Sequence, residues 1–193
     1  MHFKKHFNLA NAGSHAFLSA SKYSWLNYDE DKLDTVFATS LAAEKGTRLH
    51  KLAADLIREG VKLPRSTQTL NLYVNDAIGF RMTPEQYLYY SDNAYGCADA
   101  ISFRVERGKP KLRVHDLKTG ITPASFSQLD IYGAFFCLEY RVKPFEIEME
   151  WRIYQNDDVM IQVGDPDVIT HIMEKIKLFD KRISAMRLEA EGL

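Results

Sequence analysis

From Ser40 to Glu59 the apolar residues Leu49, Leu52, Ala53, Leu56 and Ile57 fall at the spacing of one helical face, and Gly60 follows as the stop. Further along, the hydrophobic period shortens. "TLNLYV" and "QYLYY" are rich in aromatic and β-branched residues, while "GCADAISFRV" and "KLRVHDLK" flank the turn-forming "ERGKP". Together these segments predict an antiparallel meander. Thr122 followed by Pro123 supplies a cap and a favoured first residue for a helix reaching about Tyr140. "FEIEMEWRIYQ" and "VMIQVG" predict a second hairpin, and Asp167 to Glu189 a closing amphipathic helix. Upstream, "SASKYSWLNY", residues 19 to 28, suits a short helix with Ser19 or Ser21 as its cap. The predicted order is helices, strands, helix, strands, helix.

Composition narrows the class. A chain of 193 residues, 46% hydrophobic and 26% charged, is sized for one globular domain over 1–193, with no repeat or low-complexity linker to divide it. Twenty-five basic side chains nearly balance twenty-six acidic ones, so any contact with nucleic acid must be local. Cys97 and Cys137 are too few for a disulfide framework or a CxxC zinc knuckle, which suits a reducing cytoplasm. The opening "MHFKKHFNLANAG" lacks the apolar core of a signal peptide, and no apolar run approaches membrane-spanning length. A soluble protein without a membrane partner is expected.

Two charges inside "VHDLKTG" carry the chemistry. Side chains alternate across a strand, so Leu112, Val114, Asp116 and Lys118 share one face, and on the preceding strand Cys97, Asp99, Ile101, Phe103 and Val105 share another. A hairpin turning at Arg107 and Gly108 opposes Phe103 to Leu112 and Ile101 to Val114, and the same register sets Asp99 beside Asp116. Two carboxylates at the end of an apolar stripe repel unless a cation holds them. Mg²⁺ or Mn²⁺, which take oxygen ligands and accompany phosphates, is the economical explanation. Lys118, one pleat on, is then placed to orient water or to stabilise charge on a phosphate, which is phosphodiester chemistry.

These residues resemble the PD-(D/E)XK nuclease superfamily, in particular its RecB-type branch. That branch is similar to this chain in a helix carrying a histidine ("GTRLH", ending at His50), a Gly-x-x-Asp strand ("GCAD", Gly96 to Asp99), an Asp-x-Lys strand ("DLK", Asp116 to Lys118) and a Gln-x-x-x-Tyr helix ("QLDIY", Gln128 to Tyr132). All occur in order over roughly half the chain, and "LSASKYSWLNY" is similar to the opening segment of many phage-encoded relatives. The resemblance implies that His50, Asp99 and Asp116 ligate the metal with the Leu117 carbonyl, that Lys118 is catalytic beside Asp99 and Asp116, and that Gln128 and Tyr132 line the substrate groove. Many RecB-type relatives hold an iron–sulfur cluster with four cysteines, and two isolated cysteines exclude that cluster here.

Each piece also has a structural reading. His50 alone reads as a structural histidine, but Gly46, one turn before it on the same stripe, lets something approach the helix closely. Asp116 with Lys118 could be an ordinary ion pair, Glu85 a solvated residue at a strand start, and Arg104, Arg107, Lys109, Lys111 and Arg113 either a phosphate-tracking hairpin or a soluble surface. Tyr87, Tyr89, Tyr90 and Tyr95 read as packing residues with base stacking as the alternative. The helix after Lys118 directs its N-terminal amides toward a phosphate. The expectation is an α/β, restriction-endonuclease-like fold with a central mixed sheet flanked by helices. It would act as a Mg²⁺- or Mn²⁺-dependent DNA exonuclease on single- or double-stranded ends, without an iron–sulfur cluster. The resemblance places it in the host cytoplasm, alongside phage recombination or replication proteins. A structure-selective endonuclease with the same site, or a catalytically weak nucleic-acid-binding subunit, are the alternatives.

Overall fold

The computed structural model describes residues 16–191, which fall into two compact units, one up to Lys45 and one from Gly46. The N-terminal stretch on which the signal-peptide expectation rests, residues 1–13, lies outside the described residues. Among the described residues no helix is long and apolar enough to cross a membrane. In the first unit the short helix expected near Tyr23 is a 3₁₀ helix, Ala20–Asn27, interrupted at Lys22. Ser19 stands at its cap position, yet its hydroxyl lies 3.2 Å from Ser21 Oγ and makes no capping bond. Trp25 Nε1 donates to the Ser19 carbonyl at 3.0 Å, and Phe17 meets Phe37 edge to face.

Helix α1, Glu30–Glu59, begins well before the expected Ser40. Asp29 accounts for the difference, because its Oδ1 accepts the Lys32 amide at 2.8 Å and Glu30 and Asp31 favour the positive end of the helix dipole. Gly60, at φ 67°, ends it as expected. The segment "TLNLYV" departs from expectation: it is not a strand but the start of helix α2, Thr69–Gly79. Its first turn is held from far along the chain, since the Thr69 amide and hydroxyl both donate to Asp157 Oδ1, at 2.8 and 3.0 Å. Tyr73, Val74 and Ala77 are then buried on one helical face, and tertiary burial overrides β propensity.

The second unit is built on a mixed five-stranded sheet in the order β1 (Thr83–Ser91), β2 (Ala94–Glu106), β3 (Lys109–Leu117), β4 (Glu148–Gln155), β5 (Asp158–Val163). Neighbours are antiparallel except β3 and β4, which run parallel and are joined through helix α3, Ser127–Tyr140. Helix α4, Pro166–Glu191, closes the chain. This is the expected α/β class. The β2–β3 hairpin turns at Arg107 (φ 49°) and Gly108 (φ 82°), and Phe103 opposes Leu112 and Ile101 opposes Val114, as the pattern predicts.

Helix α3 starts at Ser127, not at the Thr122–Pro123 cap. The loop before it is pinned by the buried Gln155, whose Nε2 donates to the Gly120 and Thr122 carbonyls (2.6 and 2.8 Å) while its Oε1 accepts the Ala124 amide. Those bonds take the backbone away from helix. Two cores cover the sheet. Leu112, Val114, Trp151 and Ile153 pack with Leu129 and Phe136 of α3 and Ile169 of α4 on one face, and Ala100, Leu117 and Tyr154 with α1 and α2 on the other.

The first core leaves no slack at Gly164, where an added Cβ would stand 2.7 Å from Met149 Cβ and 2.8 Å from the Trp151 ring. The indole cannot swing aside without losing its Nε1 bond to Asp130 Oδ1 (2.8 Å). Gly164→Ala is therefore expected to lower stability by about 1–3 kcal/mol, read as a reduced urea midpoint at unchanged slope.

Candidate functional site

Strand β2 changes face in the middle. A Cβ on Gly96 would meet Tyr132 Cε1 at 2.9 Å and Phe135 at 3.5 Å, so position 96 points at α3. Ala98 and Ile101 both enter the core beneath α3 and α4, whereas Ala100 enters the opposite core. The alternation thus slips by one residue around Asp99. The neighbouring ladder shows the same disturbance: between the pairs Gln86↔Ala98 and Pro84↔Ala100, Glu85 takes φ 49°. The expectation that Cys97 shares the face of Ile101 is corrected accordingly, because Cys97 lies on the side away from α3.

The slip turns the Asp99 carboxylate sideways onto the end of β3. Its Oδ2 accepts the Leu117 amide at 2.9 Å, and its Oδ1 lies 3.3 Å from His50 Nδ1 on α1. The hydrogen bond to Asp99 raises the His50 pKa above its ordinary 6.5, against the opposing effect of burial and with further help from the charges of Asp99 and Asp116. Gly46 fits the closeness expected of it: a Cβ there would stand 2.7 Å from Thr119 Oγ1, directly after Lys118.

Asp116 is almost fully buried. Burial, and after it the charge of Asp99, push its carboxyl pKa up, with Lys118 pulling the other way. Lys118 Nζ donates to Asp116 Oδ1 at 3.2 Å and stands 2.9 Å from Oδ2, so the ammonium faces both oxygens of the carboxylate. The same ammonium donates to Gln128 Oε1 at 2.8 Å, Gln128 Nε2 to Tyr132 Oη at 3.1 Å, and Tyr132 Oη to the Cys97 carbonyl at 2.6 Å. A one-way relay of donors therefore runs from Lys118 through α3 back to β2. Each member needs the next in this orientation.

His50, Asp99, Asp116, Lys118, Gln128 and Tyr132 are thus joined at one end of β2 and β3, with Leu117 entering through its amide. Among the described residues no group of three or more His, Cys, Asp and Glu side chains is gathered closely enough to hold a metal by itself. The donor set still fits a hard cation that keeps much of its water: the Asp99 and Asp116 carboxylates repel each other, and burial adds to the cost of charging Asp116. Three of the five hairpin cations are paired with carboxylates. Arg113 is buried against Glu106 and Glu150, Lys111 pairs with Glu150, and Lys109 with Glu148. Glu85 pairs with Arg58. No local pattern singles out Gln155, whose partners lie more than thirty residues away. Tyr73 was hidden by the strand reading of its segment; burial and then the charges of Asp99 and Asp116 raise its hydroxyl pKa.

No family model matches the chain, and no curated protein or solved structure matches it.

The His50–Asp99 pair has a testable pH signature. A folded-state pKa raised above 6.5 means that the pair's stabilisation is complete below that pH and is lost as pH rises through the folded value. In cation-free protein, NMR titration should place His50 above 6.5 in the wild type. In Asp99→Asn only burial and weaker charges remain, and the imidazole should titrate lower.

Proposed function

We propose that the chain is a divalent-metal-dependent deoxyribonuclease of the PD-(D/E)XK superfamily, RecB-type branch, shortening DNA from its ends in phage-type recombination, repair or end processing. The observation that carries this reading is the mutually repelling pair of a half-buried Asp99 and a nearly buried Asp116, the latter joined by Lys118 to the Gln128 and Tyr132 relay. A purely structural ion pair has no need of a second carboxylate, whose repulsion of the first costs stability. The order of the four sequence motifs supports the family and, with it, the restriction-endonuclease-like fold.

His50, Asp99, Asp116 and the Leu117 carbonyl would hold Mg²⁺ or Mn²⁺, which when bound supplies charge neutralisation at the phosphate and lowers the pKa of water. The protein's own contribution is positional. Asp99 spends one oxygen on the Leu117 amide and so keeps its other oxygen directed at His50. Lys118 is held between Asp116 and Gln128, where its ammonium can donate to a phosphate oxygen or a nucleophilic water and stabilise the charge that develops in the transition state. Tyr132 and Gln128 fix that ammonium and line the approach from α3.

End-labelled DNA incubated with Mg²⁺ or Mn²⁺ should be hydrolysed, and chelation should stop the reaction. Asp116→Asn and Lys118→Ala should each reduce turnover by at least about a hundredfold. Calorimetry separates them: Asp116→Asn should lose cation binding, while Lys118→Ala should keep it. Cleavage by Lys118→Ala at the wild-type rate would make the charges on β3 structural.

The mode of attack is a separate expectation. Covalently closed circles should persist while linear DNA of the same sequence shortens from its ends. Rapid cutting of closed circles would assign an endonuclease.

A further inference from the structure

On the side of the sheet away from α3, three tyrosines stand in the open. Leu88 is buried, and its neighbours Tyr87 and Tyr89 point the other way, 64% and 50% exposed; on β2, Tyr95 is 58% exposed. Tyr87 pairs with Cys97 and Tyr89 with Tyr95 across the β1–β2 ladder. The Tyr89 and Tyr95 rings lie 6.4 Å apart and within 24° of parallel. Tyr89 is anchored by donating its hydroxyl to Asp92 Oδ1 at 2.8 Å. Such rings lose little conformational freedom when something stacks on them.

Their place on the strand gives the surface a direction. Tyr95 and Cys97 succeed one another along β2 at the two-residue repeat of a strand, about 6.6 Å, and Asp99, where the alternation slips, follows two residues further on. That step is comparable to the reach of one nucleotide in an extended single strand. The row therefore leads in two steps from the tyrosine pair to the carboxylate that anchors the candidate site.

We infer that Tyr87, Tyr89 and Tyr95 form a stacking platform for the unpaired bases next to the scissile phosphate, making a single-stranded or frayed DNA end the substrate class. The inference rests on the nuclease reading for its location. Stacking needs only a base's flat face, which is available in a single strand and concealed in a duplex. Addition of a peptide strand is disfavoured at this edge. Glu139 Oε2 accepts the Tyr89 amide at 2.9 Å and Gln86 Nε2 donates to the Tyr87 carbonyl at 2.7 Å, so edge groups that a peptide would use are engaged. An apolar protein surface is a poor occupant as well, since the row runs into a half-buried carboxylate instead of aliphatic neighbours.

The test is binding by the full chain without divalent cation, followed by fluorescence anisotropy. The probes are a labelled oligothymidine of about twelve nucleotides, a baseless phosphodiester oligomer of equal length, and a blunt duplex. Oligothymidine should bind at least about tenfold more tightly than either other probe. Tyr87→Ala and Tyr95→Ala should each weaken that binding about tenfold, leave baseless-oligomer binding and the salt dependence unchanged, and be rescued by phenylalanine. Equal affinity for oligothymidine and the baseless oligomer, or no effect of either alanine, overturns the platform. So does a concentration-dependent dimer that Tyr95→Ala dissolves, which would assign the face to a second copy. The two readings fail separately: base-dependent binding without metal-dependent cleavage sinks the nuclease and leaves the platform, and cleavage with unaffected tyrosine variants does the reverse.

Discussion

The arrangement of the site depends on one hydrogen bond, from the Leu117 amide to Asp99 Oδ2. A buried amide must find an acceptor, and in a regular ladder a backbone carbonyl of the neighbouring strand would supply it. Here a carboxylate takes that place. The bond is charge-assisted and so stronger than the one it replaces, which lets β2 abandon its alternation at Asp99. The remaining features follow from that substitution. The Asp99 charge sits close enough to Asp116 to raise its pKa, Lys118 becomes necessary to offset the pair, and His50 is drawn in from α1.

The reverse face of β3 is held by opposite means. Arg113, Glu150 and Arg152 form a row, with the two guanidinium groups 4.4 and 4.6 Å from the centre of the Phe80 ring. Burial alone would raise the Glu150 carboxyl pKa, but Arg113, Arg152 and Lys111 outweigh it and bring it to about 2. The row continues from Arg152 to Asp76 of α2, whose carboxylate also accepts the Tyr154 hydroxyl, and Tyr154 Oη in turn meets His115 Nδ1. His115 remains a neutral imidazole, lowered to about 3 by burial and by Arg152. Buried ion pairs of this kind contribute little net stability, but breaking one is expensive, so they fix register. The strand bearing Asp116 and Lys118 is thereby prevented from sliding relative to β4.

What could be foreseen from sequence was local. The β2–β3 register followed from a two-residue turn and the alternation of Ile101, Phe103, Leu112 and Val114, all within a short stretch. Asp116, Lys118, Gln128 and Tyr132 were legible because strand and helix geometry place residues two and four apart on shared faces. The failures share a cause in distant partners. Thr69 begins a helix because Asp157 receives its amide, and α3 begins late because Gln155 holds the preceding loop. The slip at Asp99 lies outside any pattern of strict alternation along β2, and the buried pairing of Arg113 depends on Glu150, on a strand reached only through α3.

The relay through Gln128 and Tyr132 has a mechanical meaning. It returns to the Cys97 carbonyl, two residues from Asp99, whose carboxylate holds the amide next to Lys118. The bonds therefore form a closed linkage of strand, strand and helix. In an open chain, small errors of position accumulate toward the tip. In a closed one they are shared among all the members, so thermal motion of α3 carries the ammonium and the β2 backbone together and leaves the separation between lysine and carboxylates nearly unchanged.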